Sequence, residues 1–375
     1  MQVSSLASLP SGQSWNLVFN DDFNTLNLNV WGNNGTPWGT ESHDGNCDLQ
    51  TSANALTDSV LLAVRANKGP NIGPSGKSYP YLGAYVWTKT RRTYGYLEIR
   101  AQFPRVKGGW PAFWMLGDGW PPEIDIDEFR GDPINEMRHG FYDETWTTPV
   151  STGDFTAWHT YGLLWEPGRL KFYIDNLLVA TTTKGIVPAI PMYIILSNGA
   201  DCSSANSTGW PNDFKIDYFK WYQVAPIPPI VSGATYHIVS ATNNASVLDV
   251  VGNGTDDGTK VDIWKNNAGN NQKWKVSSVE SGYYKIQPLN ALTKALDLTN
   301  ASNANGTQIE IWADNASSAQ KWKITDVGGG YFMLTPACAT SSRLYITGGS
   351  STDGTKVEIW GSNHSVGQTF KFVPD

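Results

Sequence analysis

Several features that would assign a chain quickly are scarce in this sequence. Only three of its 375 residues are cysteine, Cys47, Cys202 and Cys338, and none has the paired spacing of a zinc site or a thioredoxin-like motif. At least one thiol stays unpaired. A Cys47–Cys202 bridge in an oxidising compartment and buried thiols both remain open, because sequence does not show which sulfurs approach each other. No apolar run nears the roughly 20 residues that span a bilayer, so a soluble chain is expected. Charged residues are only 16% of the chain and the net charge is −7, which speaks against nucleic acid and anionic membranes as partners. Helical periodicity is scarce as well. What is plentiful is tryptophan, with 17 residues. Most such side chains belong to cores, but an exposed indole suits the apolar face of a sugar ring.

A length of 375 residues suggests two domains. Short apolar or alternating runs recur, such as 96–103 (YLEIRAQF) and 170–174 (LKFYI), and they read as strands. Turn residues punctuate them at Asn34-Gly35, Pro74-Ser75-Gly76, Pro167-Gly168 and Asp175-Asn176, so an all-β sandwich or barrel is expected. The segment 224–230 (VAPIPPI) is rich in proline, which favours an extended spacer and marks a domain boundary. Beyond it Gln272-Lys273-Trp274, Gln320-Lys321-Trp322 and Gln368-Thr369-Phe370 recur every 48 residues, as do Trp264, Trp312 and Trp360. Three copies of one small all-β unit, each too small for its own core, predict a closed three-fold β-trefoil rather than an open solenoid.

The chemistry concentrates in 120–129 (WPPEIDIDEF), with four acids inside six residues. Acids on a strand ordinarily form a solvated face. Here Trp114, Met115, Ile124, Ile126 and Phe129 make the surroundings too apolar for that, and like charges so close shift one another's ionisation. A calcium loop is excluded by the missing acid spacing and central glycine. Period-two geometry puts Glu123 and Asp125 on one face, whereas Glu128, five residues on, faces away unless a β-bulge inserts one residue between Asp125 and Glu128. Such a bulge is predicted. Two carboxyls about 5 to 5.5 Å apart serve a retaining glycosidase and about 6.5 to 9.5 Å an inverting one, and sequence geometry leaves that choice open.

The run EIDIDEF resembles the E-x-D-x-x-E signature of glycoside hydrolase family 16, in its bulged laminarinase-like branch. The likeness continues through 94–101 (YGYLEIRA), 109–116 (GWPAFWML), 159–167 and 216–222 (IDYFKWY), and covers roughly residues 14–223. It implies a curved, concanavalin-like β-jelly-roll sandwich over residues 1–223 and a retaining double displacement. Glu123 would be the nucleophile, Glu128 the general acid and base, and Asp125 the group between them. A neighbouring acid hydrogen-bonded to Glu123 would favour its ionised form, and nearby negative charge would keep Glu128 protonated. Trp110 and Trp114, four apart, share a face on which the resemblance places sugar stacking. The chain departs from the family at Asp127, where an apolar residue is commoner, at 46–50 (NCDLQ), which makes Asp48 a candidate substrate contact, and at 139–143 (HGFYD). There His139 is a candidate site residue, while His159 reads as structural. No cofactor is required for the chemistry; the resemblance also implies a structural calcium on Asp22 and Asp217.

Residues 234–375, after a linker at 224–233, resemble ricin-B-type lectin domains of carbohydrate-binding module family 13. In these modules the Gln-x-Trp residues are mainly structural, and sugar is held by an early acid, an aromatic and an amide. Two pockets are expected, Asp249 with Trp264, Asn267 and Asn271, and Asp297 with Trp312 and Asn315. The third repeat has Tyr345 in place of the acid. The module's paired cysteines are missing, which leaves Cys338 alone.

The resulting expectation is a monomeric endo-hydrolase of β-1,3- or mixed β-1,3/1,4-glucan with a sugar ligand on its trefoil. The alternatives are a galactan hydrolase acting on agar, carrageenan or β-1,3-galactan, a transglycosylase, and a lectin that has lost catalysis. The composition is extracellular in flavour. Because Met1-Gln2-Val3 opens no charged-then-apolar leader, a secreted protein with its signal segment removed is expected. Asn34, Asn206 and Asn253 each begin an Asn-x-Ser/Thr pattern, which is either a glycosylation site or a plain turn, and the second reading is preferred.

Overall fold

The structure is a computed structural model. It describes residues 9–10, 14–33, 41, 47–130, 135–142, 146–147, 149–182, 187–201, 203, 208–224, 230–280 and 282–375, and for 146–147 only the backbone. The chain divides into two compact units, residues 1–223 and 224–375, each described by itself.

The first unit is a sandwich of two antiparallel layers. In one layer the Ser78–Thr88, Tyr193–Asn198, Ala112–Leu116, Glu123–Glu128 and Glu136–Tyr142 strands lie side by side. In the other, Leu62–Ile72, Asn212–Val224, Gly95–Gln102, His159–Glu166 and Arg169–Ile174 do the same. Leu97, Ile99 and Ala101 from the second layer meet Phe113, Met115, Ile124 and Ile126 from the first in one core. Alternation decides which side chains enter it. Burial of large apolar side chains, at about 1.5–3 kcal/mol each, therefore fixes the register that leaves the intervening residues on the open face.

The Glu123–Glu128 strand breaks that alternation once. Against Ala112–Leu116, Asp125 pairs with Trp114 and Asp127 with Phe113, so Ile126 is supernumerary. On the other side Asp125 pairs with Gly140 and Glu128 with Arg138, so the single residue His139 opposes both Ile126 and Asp127. This is the predicted bulge, and it turns Ile126 and Asp127 into the core while leaving Glu123, Asp125 and Glu128 half-buried together on the open face.

Among its described residues the second unit has twelve strands and a separate core, with Leu248, Ile263, Trp274, Leu296, Ile311, Trp322, Leu344, Ile359 and Phe370 contributed by all three repeats. Gln272, Gln320 and Gln368 are fully buried, and each accepts a backbone N–H from the residue five positions before it, Asn267, Asn315 and Asn363. Trp274 and Trp322 donate their indole N–H to Leu248 O and Leu296 O. The repeat motif is thus structural. The expected linker needs one correction. Residues 225–229 lie outside the described residues, but 230–233 are part of the trefoil: Ile230 packs on its core and Gly233 donates to Val276 O at 2.7 Å.

Candidate active site

Three half-buried carboxyls gather on the open face of the first unit, and each has its own surroundings. Asp125 is hydrogen-bonded to Glu123, and its own pKa stands well above the usual range because of burial, then of the charges of Glu123 and Glu128. Burial likewise pushes Glu123 up to about 7, with the Glu128 charge adding to the rise and hydrogen bonds from Trp120 and Asp125 opposing it. The directions fit a protonated Asp125 that donates to an ionisable Glu123. Glu128 is bound differently. Trp110 Nε1 and Arg130 Nη2 both donate to its Oε1, the second at 3.1 Å, and the Arg130 guanidinium lies 3.7 Å from the centre of the Trp110 ring.

Trp110 therefore lies at the site, beside Glu128. Trp114 also lies there, as the cross-strand neighbour of Asp125, held by Ser197 Oγ at 3.0 Å and by the edge of Tyr85. Three residues at this face carried no prediction. Trp120 donates to Glu123 Oε2 at 2.8 Å, and its ring stacks on Tyr142, which pairs with Glu123 across the strands. Arg130 is the third. Its position two residues beyond Glu128 was the sequence signal, since alternation points i and i+2 the same way.

Two candidates are corrected. Asp48 is fully buried: it accepts from Ala200 N at 3.1 Å and from Gln50 Nε2, and burial pushes its pKa up to about 7. Gly83 and Gly199 make room for it, because a Cβ at either would lie 2.5 Å and 2.7 Å from its carboxylate oxygens. A sugar on the open face cannot reach it. His139 is buried too, against Phe172. Its Nδ1–H donates to Ile126 O at 2.7 Å, which sets the tautomer, and Nε2 meets Ser151 Oγ at 2.8 Å. It braces the bulge from the core side and does not face substrate. Its neighbour is Asp127, with Oδ1 3.3 Å from Nδ1; the ring proton is directed mainly at Ile126 O, and the nearby imidazole opposes in part the effect of burial on Asp127. Burial pushes Asp127 up to about 6. His159 is structural, spanning Asp175 and Asp154 O.

Asp217 is held by the Arg100 guanidinium at 2.8 Å, Asp22 meets Asn20 at 3.4 Å, and among the described residues no three His, Cys, Asp or Glu side chains cluster to hold an ion. Cys202, Asn34 and Asn206 lie outside the described residues, so the Cys47–Cys202 pairing does too.

In the trefoil, Trp264, Trp312 and Trp360 are 45%, 41% and 41% exposed, which settles them as surface residues. Asp249 Oδ2 accepts from Asn271 at 2.9 Å and from Gln272 at 2.7 Å, beside Asp262, its cross-strand neighbour. Asp262 shares its face with Trp264 and was not singled out from the sequence. Asn267 and Asn315 are turn residues whose side chains cap Gly269 N and Ser317 N. Asp297 is hydrogen-bonded by Gln320, and burial pushes it up to about 6; its repeat has Ala319 where the first has Asn271, so only the first pocket has the full acid, amide and aromatic set.

A carboxyl cluster on the face of a β-sandwich, joined to a three-fold trefoil with exposed indoles, defines a carbohydrate-active protein. Residues 41–220 match the family described as glycosyl hydrolases family 16, and 270–360 match the ricin-type beta-trefoil lectin domain-like family. The chain thus carries a glycosyl hydrolase family 16 domain and a ricin-type trefoil domain. It is 32% identical over 247 residues to endo-1,3-1,4-beta-glycanase EglC of Rhizobium meliloti (strain 1021), covering 55% of this chain and 51% of that one. It is 28% identical over 256 residues to a glucan endo-1,3-beta-glucosidase of Cryptopygus antarcticus, covering 55% of this chain and 92% of that one. The catalytic domain of an endo-1,3-beta-glucanase (laminarinase) from Thermotoga petrophila RKU-1 superposes with a TM-score of 0.52 at 25% identity, over 57% of this chain and 100% of that one. The chain spans about half the length, 51%, of the first two curated relatives it matches.

Proposed function

We propose that the protein is a retaining endo-glycosidase, secreted, that hydrolyses a β-1,3- or mixed β-1,3/1,4-linked glucan and is held on it by its trefoil. The observation that carries this reading is the bulge at Ile126, which brings Glu123, Asp125 and Glu128 onto one face with Asp125 hydrogen-bonded to Glu123. The named activities of the relatives support glucan as the substrate.

In the first step a carboxylate oxygen of Glu123 attacks the anomeric carbon. The bond from that carbon to the leaving oxygen breaks, its electron pair stays on oxygen, and Glu128 supplies the proton. Trp110 and Arg130 both occupy Oε1 of Glu128, which leaves Oε2 to carry that proton. In the second step Glu128, now a carboxylate, takes a proton from water. The water oxygen bonds to the anomeric carbon and the ester electron pair returns to Glu123. The ester is uncharged, so in this step Glu128 has no anion beside it at Glu123. Asp125 keeps its proton throughout and holds the departing or returning charge on Glu123. No step uses a metal.

Reducing-sugar release from laminarin, mixed-linkage β-glucan, agar, carrageenan and β-1,3-galactan, together with product lengths, tests this. Release from a glucan that Glu123→Ala abolishes is expected. Release from galactans alone would overturn the substrate, elongated products would mark a transglycosylase, and binding without release would leave a lectin.

A further inference from the structure

The open face carries one positive charge that neither step uses. Arg138, on the Glu136–Tyr142 strand, is paired directly with Glu128 on the Glu123–Glu128 strand. Its neighbours Met137, His139 and Phe141 enter the core, so alternation sends Arg138, half-buried, to the face that Glu128 occupies. Side chains paired in this way start from β-carbons about 4.5–5.5 Å apart. Even so, among the described residues the Arg138 guanidinium makes no ion pair or hydrogen bond, and Glu128 is engaged by Arg130 at 3.1 Å. On its other side Arg138 is paired with Val150, which brings no charge.

Two guanidiniums therefore flank one carboxylate. The imbalance is greatest when the site is ready to react, because Glu128 then carries its proton and offsets neither of them. A guanidinium cannot shed its own charge in a protein, so only an anion from outside the chain can restore the balance. This excess is local, since the chain as a whole has a net charge of −7. Neighbouring strands lie about 4.8 Å apart, which puts the substituents of a sugar seated at Glu128, or of the next ring, within reach of the long Arg138 side chain.

Resting on the assignment of Glu128 as the general acid and base, we propose that Arg138 is a specificity-determining residue, and that the glucan it favours bears acidic substituents, a carboxylate or a sulfate ester, on a sugar beside Glu128. Both groups offer two oxygens to the planar fork of a guanidinium, which binds them through paired, charge-assisted hydrogen bonds. Unsubstituted glucan leaves Arg138 in water and stays a substrate, though a poorer one.

Plain laminarin, carboxymethylated laminarin and laminarin sulfate are the probes. For at least one derivative, the ratio of its kcat/KM to that of plain laminarin is expected to fall about tenfold or more in Arg138→Gln, with kcat/KM on plain laminarin within about twofold of wild type. Activity on plain laminarin also shows that the variant is folded. A fall confined to the carboxymethyl or to the sulfate derivative identifies which acid is read. Arg138→Lys, which keeps the charge and loses the fork, is expected to recover only part of the ratio. Calorimetric titration in the Glu123→Ala background reads binding without turnover, and affinity for the favoured derivative is expected to fall by a similar factor when Arg138→Gln is added. Unchanged ratios and affinities for both derivatives would overturn the proposal while cleavage of laminarin leaves the proposed function standing. If the wild type cleaves no laminarin and the affinity still falls in Arg138→Gln, the proposed function fails and the acid-reading role of Arg138 stands.

Discussion

The guanidinium of Arg130 lies 3.7 Å from the centre of the Trp110 ring, and both side chains donate to the same oxygen of Glu128. Together they hold one carboxyl oxygen in place and free the other, which is the orientation problem a general acid has to solve.

Arg130→Ala is expected to lower kcat by about ten- to a hundredfold with a smaller effect on KM, because the lost contact orients the acid and does not bind the ring. Steady-state kinetics on whichever polysaccharide the wild type hydrolyses checks this. A change confined to KM would assign Arg130 to substrate binding.

Asp127 should make the protein less stable as pH rises. Its pKa is raised by burial from an ordinary 3.8 to about 6. The stability it contributes is fully present below the unfolded value and is lost as pH rises through about 6. Asp127→Asn is therefore expected to melt higher than wild type at pH 8, by about 2–3 kcal/mol, and to match it near pH 3.5. Thermal melts at both pH values decide it; an equal difference at both would mean packing and not charge.

How much of this was legible in the sequence follows from how locally each feature is set. The odd spacing of Glu123 and Glu128 forces a bulge wherever both must face one side, and a 48-residue period forces a three-fold body, so both were visible. Asp48 and His139 were misplaced because their burial depends on distant strands. Asp48 lies against Gly83 and Gly199, and His139 against Phe172. Motif likeness marked these positions as important without showing which way they point. Trp120 and Arg130 both escaped because they lie outside the strands whose alternation guided the reading, although Arg130, two residues beyond Glu128, could have been found by extending that alternation past the strand end.

Gly83 carries a structural prediction of its own. A Cβ there would lie 2.6 Å from Asn198 O as well as against Asp48, and backbone cannot swing aside. Gly83→Ala is expected to destabilise the first unit by about 2–4 kcal/mol in denaturant titrations. Wild-type stability would show that the strands around Asp48 give way easily.

The trefoil prediction separates its pockets. Trp264→Ala, in the repeat that keeps both Asp249 and Asn271, is expected to weaken retardation in a polysaccharide-containing native gel about fivefold, and Trp312→Ala less. Turnover of a short soluble oligosaccharide stays unchanged in both, since tethering matters only on polymer. Equal retardation of Trp264→Ala and wild type would remove this pocket from the account.

The central claim is that Glu123 attacks the anomeric carbon and Glu128 serves both steps. Proton NMR of the reaction mixture in its first minutes measures it directly, by reporting the configuration of the newly formed reducing end. Two displacements predict the β-anomer first, with the α-anomer growing in only as the sugar mutarotates; an α-anomer formed first would mean a single inversion by water and would contradict the account.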